Sequence, residues 1–150
     1  MIYQENAKEF LRRGFRMREK IRHKSEMLEE LRSMAERSTA NIDGVPGGRY
    51  DPHHREKVIA RMVDLQQDVA WDFDDLWKQQ EEAKALIDQI VDPDMAAVLY
   101  YRYLCYKTWL EIAESMGVSE STVYRTHGLA LVNFIVPADP QGKDWKNNAV

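Results

Sequence analysis

The side chains with the most legible chemistry lie between Lys107 and His127, and that chemistry is hydrogen bonding rather than bond making. Thr108 with Glu111 three residues later has the spacing of a capping box, in which each side chain satisfies an amide of the other's turn. Ser119 can cap the segment that follows it, and Gly117 stands where a helix would stop at little cost in a left-handed conformation. No nucleophile, base and orienting group cluster along the chain, and no glycine-rich loop is built to cradle a phosphate, so neither catalysis nor a bound cofactor is expected. Asp68, Asp72 and Asp75 share a helix face at four- and three-residue spacing, which a hard cation could use. A solvated acidic face is the expected reading, and no metal is assigned. His53 and His54 follow Pro52 without a third ligand at metal spacing. Cys105 is the single cysteine, which excludes an internal disulfide and a thiolate zinc site.

Those residues must be held by helices. Asp92-Pro93-Asp94 ends one periodic stretch and opens another from about Asp94 to Leu104, since Pro93 suits an early helical position and the acids suit a helix N-terminus. Tyr106 and Lys107 form a step. The stretch TWLEIAESM is then a short amphipathic helix with Trp109, Ile112 and Met116 inward, and STVYRTHGLALVNF continues from Ser119 to about Phe134. Ala113, Gly117 and Val123 put a small residue, a glycine and a β-branched residue at offsets of four and six. A tight turn between helices crossing near a right angle needs that order.

The first part of the chain has a longer period. From about Gln4 to Arg37, Ala7, Phe10, Gly14, Met17, Ile21, Leu28, Leu31 and Ala35 recur at heptad spacing, with Lys24 on the seam where an apolar residue is expected. The glycines and prolines of STANIDGVPGGRYDPHH then read as a loop at about 38–53. A second stripe from about His54 to Val91 carries Val58, Met62, Leu65, Val69, Phe73, Leu76, Ala83, Ile87 and Ile90. Its step from Val69 to Phe73 breaks the three-four alternation, and Trp71 and Trp77 beside it are expected to pack at a helix crossing. Neither stripe can be buried alone. The expected fold class is all-α: a long antiparallel helical hairpin, coiled-coil-like, over 1–91, a helix-turn-helix unit over 92–136 and a tail over 137–150. A second copy joining through the long helices would complete the burial.

The formal net charge is −4 over 150 residues, but it is unevenly spread. Arg12, Arg13, Arg16, Arg18, Lys20, Arg22 and Lys24 crowd the first helix, and the second is loaded with acids from Asp64 to Asp88. Positions equidistant from the loop face one another in an antiparallel hairpin, so the stretch Arg12 to Lys24 is expected opposite about Asp68 to Glu81. The opening MIYQENAKEFLRRGFRMREK lacks a signal peptide's apolar stretch, and no run of apolar residues is of membrane-spanning length. The expectation is a cytoplasmic chain with no membrane partner.

The segment LYYRYLCYKTWLEIAESMGVSESTVYRTHGLAL resembles the C-terminal helix-turn-helix region of bacterial sigma factors, which shows a Leu, Arg and Tyr-rich helix, an E-I-A motif, a glycine turn, Ser, a T-V pair and a closing A-L. With its long preceding helices, the chain is similar to a family of small phage and prophage proteins with sigma region 4-like C-termini, some viewed as late-gene transcriptional regulators. The resemblance implies double-stranded DNA as ligand and RNA polymerase as a partner. It places Ala113, Gly117 and Val123 in structural positions. Ser119, Glu120, Ser121, Thr122, Tyr124 and Arg125 then face DNA, with His127, Lys107 and Thr108 as further contacts. Basic groups are few on the last helix, so affinity from this unit alone is expected to be low. Two other readings of the same residues are a phage packaging protein resembling a small terminase, and a protein-interaction module whose helix-turn-helix does not meet DNA.

Overall fold

The computed structural model describes residues 2–40 and 52–137, and every element in them is helical. The chain is all-α: α1 (Ile2–Leu11), α2 (Arg13–Ala40), α3 (His54–Ile87), α4 (Pro93–Leu99, widening into a π-turn over Tyr100–Leu104), α5 (Trp109–Met116) and α6 (Glu120–Asn133). The loop expected at about 38–53 and the tail from 137 lie, but for their edges, outside the described residues. No described helix is long and apolar enough to cross a membrane. The chain divides into two units, Arg18–Asp75 on the one hand and residues up to Met17 with those from Leu76 onward on the other.

In the unit Arg18–Asp75, Ile21, Leu31 and Val58 are buried at their heptad positions. The surprise is Asp72, which is buried while Phe73, expected on the seam, is 55% exposed. Strict alternation explains the exchange, because 65, 69, 72 and 76 keep the three-four spacing that Phe73 breaks. Asp72 is admitted to the seam by Lys24, whose Nζ donates to Oδ2 at 2.7 Å, with Lys20 Nζ 3.7 Å from Oδ1. Lys24 and Asp72 are therefore one feature: two seam positions that both depart from apolar and satisfy each other.

In the other unit, α1 is a structural part of the C-terminal helices. Ala7, Phe10 and Leu11 share a core with Ala83 and Ile87 of α3, Leu99 and Tyr103, and Ala130, Leu131 and Phe134 at the end of α6. The rings of Phe10 and Phe134 are 5.8 Å apart. A single helix from Gln4 to Arg37 was expected, and a turn at Arg12 divides it. At that turn Arg13 Nε donates to the Phe10 carbonyl at 3.0 Å, the acceptor that the amide of Gly14 uses in a regular helix. The same guanidinium reaches Glu82 at 3.2 Å. Trp77, expected at a packed crossing, is 63% exposed, and Trp71 of the Arg18–Asp75 unit is likewise exposed. Their indoles fall off the seam positions that α3 buries.

Candidate nucleic-acid interface

Asp92 caps α4 through Oδ1, which accepts from the amides of Asp94 and Met95 at 2.9 and 3.0 Å, and Pro93 follows where its missing N–H costs nothing. The helix was expected to run regularly to Leu104. Instead it widens, with the Cys105 amide donating to the Tyr100 carbonyl at 3.1 Å and that of Lys107 to Tyr101 at 3.0 Å. Tyr106 then adopts a left-handed backbone, φ 57°, unusual for a side chain of this size. Its surroundings hold it there. Gln80 donates to its hydroxyl at 2.8 Å, its ring meets Phe15 edge-on at 5.0 Å, and Gly14 supplies the missing side chain that lets the hydroxyl approach. This step sets where Lys107 and Thr108 start the next helix.

From Thr108 the local signals are realised. Thr108 Oγ1 accepts from the Glu111 amide at 3.2 Å, and Glu111 Oε2 accepts from the Thr108 amide at 3.3 Å. Gly117 closes α5 at φ 68°, with the amides of Gly117 and Val118 returning to the carbonyls of Glu114 and Ala113. Two of the four orphan carbonyls of the last turn are thereby satisfied, and a residue with a Cβ would be strained there. Ser119 Oγ accepts from the Thr122 amide at 3.2 Å and starts α6. Val98, Ile112, Ala113 and Val123 form the core that the turn wraps, with Tyr101, Trp109 and Met116 packed against it.

Around this core the expected contact residues separate into outward and inward sets. Thr108, Ser119, Glu120, Ser121, Tyr124 and Arg125 are exposed, and Thr122 is half-buried with its hydroxyl 3.0 Å from that of Ser119. Lys107 is half-buried and held: its Nζ donates to Ser115 Oγ at 2.9 Å and lies 4.5 Å from the Tyr101 ring centre. His127 is a correction, since only 7% of it is exposed. Its Nε2 and the Tyr103 hydroxyl share a buried hydrogen bond of 2.8 Å, and Trp109 packs edge-on against its ring at 4.7 Å. The imidazole faces the core because α6 turns 127 to the same side as Val123, Ala130 and Leu131, and no sequence pattern marks a polar residue as inward without its partner. Arg102 was missed as a positioning residue. Its guanidinium lies 4.4 Å from the Trp109 ring centre and donates to the Lys107 carbonyl at 3.0 Å, tying the π-turn to α5.

Burial, and secondarily the charges of Lys8 and Arg102, pushes the His127 imidazole down to about 4. Burial likewise pushes the Tyr103 hydroxyl up to about 12, against the opposing pull of Arg102 and Arg12. The folded pKa of His127 lies below its unfolded value, so the unfolded state binds the extra proton between about 6.5 and 4. Stability therefore falls as pH falls through that window, by on the order of 2–3 kcal/mol from this group. Urea unfolding of the wild type and of His127→Phe from pH 7 to 4 measures it. The variant should have the shallower pH dependence, and equal slopes would remove His127 as the cause.

Among the described residues no group of three or more His, Cys, Asp or Glu is arranged to hold a metal ion. The outward surface of α5 and α6 offers one basic side chain, Arg125, with half-buried Lys107 just before α5, beside the acids Glu111, Glu114 and Glu120. Hydroxyl, amphipathic aromatic and guanidinium groups are suited to reading hydrogen-bonding edges, and the charge balance is too even for strong phosphate attraction. No curated protein and no solved structure matches the chain. Residues 38–134 match the model of the family described as "Protein of unknown function (DUF1492)", and the chain belongs to that family.

Proposed function

We propose that this protein is a sequence-specific, double-stranded DNA-binding regulator of transcription of the phage or prophage type, with α5, its turn and α6 acting as a sigma region 4-like helix-turn-helix. In this reading α6 enters the major groove and presents Ser121, Tyr124 and Arg125 to base edges. Lys107 and the capped start of α5 take the phosphate backbone. Helices α2 and α3 form an antiparallel arm, coiled-coil-like. RNA polymerase supplies affinity that the modest charge of this unit does not. The observation that carries the reading is the turn: a capping box at Thr108, left-handed Gly117 and the Ser119 cap occur in sequence around buried Ala113 and Val123. That geometry leaves the polar side chains of the first half of α6 outward.

Mapping the fragments that the full-length protein retains from the DNA of the genome encoding it tests this. Recovery of segments upstream of transcription starts is expected. Recovery confined to a packaging origin would favour the terminase-like role, and absence of any enriched fragment would contradict DNA recognition.

A further inference from the structure

Within the unit Arg18–Asp75, α3 carries two stripes. The first is the buried seam with Val58 and Asp72, and Asp72 faces Lys24 of α2. The second lies one residue further on at each step: Ile59, Val63, Gln66, Ala70 and Phe73 keep a four-three alternation of their own. One residue is about 100° of helix, so the two stripes face neighbours roughly a right angle apart, as in a four-helix bundle, where each helix touches two others. Ile59, Val63 and Phe73 are 44%, 58% and 55% exposed. The charged residues Arg61, Asp64 and Asp68 between them fall on the opposite side of the helix. A line about 21 Å long with apolar residues and no charge is an interaction surface rather than a solvated face.

The charge along α3 indicates what covers it. Arg55, Lys57 and Arg61 outnumber Glu56 in its first turns, whereas from Asp64 to Asp75 there are five acids and no basic residue. A second α3 running the opposite way brings each basic end beside an acidic one and sets the helix dipoles against each other, while a parallel copy would align acids with acids. We propose that the stripe from Ile59 to Phe73 is the surface on which a second copy of this chain docks, antiparallel, about a two-fold axis near Gln66, so that α2 and α3 of both copies make a four-helix bundle. This face is distinct from the seam, which α2 of the same chain occupies. It is small for a permanent dimer, which puts the expected dissociation constant on the order of 10 μM. In the DNA-binding reading two copies of α6 would then meet one duplex, but the docking surface does not depend on that reading.

Sedimentation equilibrium of the full chain, from about 1 to about 200 μM, should show a monomer passing to a dimer. Val63→Gln combined with Phe73→Gln should weaken the dimer at least about a hundredfold, because two apolar side chains are lost from each copy. Both positions are exposed, so the helicity of the dilute chain should be unchanged by circular dichroism. Trp71→Gln is the control: it removes a larger side chain, 61% exposed but about 120° round the helix from the stripe, and should leave the dimer intact. For the orientation, nitroxides at His54 should stand about 30 Å farther apart across the dimer than nitroxides at Gln67, each pair measured in a chain with exposed Cys105 replaced by Ser. Equal separations would overturn the antiparallel arrangement. A chain that stays monomeric at the highest concentration, a dimer that the double variant does not weaken, or one equally sensitive to Trp71→Gln would overturn the docking surface. Failure of DNA recognition would leave every one of these readouts unchanged.

Discussion

Replacing Phe10 by Ala lowers the stability of the C-terminal helices by about 3–5 kcal/mol, although Phe10 stands more than a hundred residues before the end of α6. Phe10 is 2% exposed and lies in one core with Ala130, Leu131 and Phe134, so the truncation opens a cavity behind the helix that carries Arg125. A relaxing surface would recover part of the loss, but Ala130 and Leu131 are fixed on α6 and cannot close the gap without moving that helix. The expected readouts are a lower denaturant midpoint and weaker binding to a recovered duplex. A matching truncation at exposed Ile59 should cost far less. If Phe10→Ala and Ile59→Ala are equal, α1 is not part of the support for α6.

The ion pair of Lys24 and Asp72 gives the second large effect. Asp72→Ala leaves an ammonium whose side chain is 24% exposed facing an apolar seam, at a cost of about 2–4 kcal/mol. Lys24→Leu with Asp72→Leu should regain most or all of that loss, because the pair is desolvated and two packed leucines need no compensation. Chemical denaturation of Lys24→Leu, Asp72→Leu and the double variant that combines them measures the coupling. Additive losses would mean that the two residues do not depend on each other.

These two features also mark what could be read from the amino-acid sequence. The caps at Thr108 and Ser119 and the stop at Gly117 were legible because each is decided by residues within a few positions, through the amides of one turn. Asp72 was not, because its burial depends on Lys24 48 positions away, and a pattern search prefers the phenylalanine beside it. His127 failed for the same reason. A histidine on a helix reads as surface until Tyr103, 24 positions earlier, supplies the hydrogen bond that lets it turn inward. The left-handed Tyr106 is held by Gln80, Phe15 and Gly14, all on other elements. What remained local was legible, and what was settled by partners distant in the chain was not.

That division bears on the candidate interface, whose outward residues were named from a local motif. Of those on α6, His127 is withdrawn by its burial, while Ser121, Tyr124 and Arg125 keep their exposure. Arg125 is the one outward guanidinium among the described residues of α6, so it is the side chain on which the proposed base reading chiefly depends.

The most direct measurement is a binding titration of the wild-type chain and Arg125→Ala on a duplex recovered by selection and on a scrambled duplex, each at two salt concentrations. The substitution should cost about 1–3 kcal/mol on the recovered duplex and little on the scrambled one, with an almost unchanged salt slope. Equal losses on both duplexes, or none on either, would contradict the claim that α6 reads base edges.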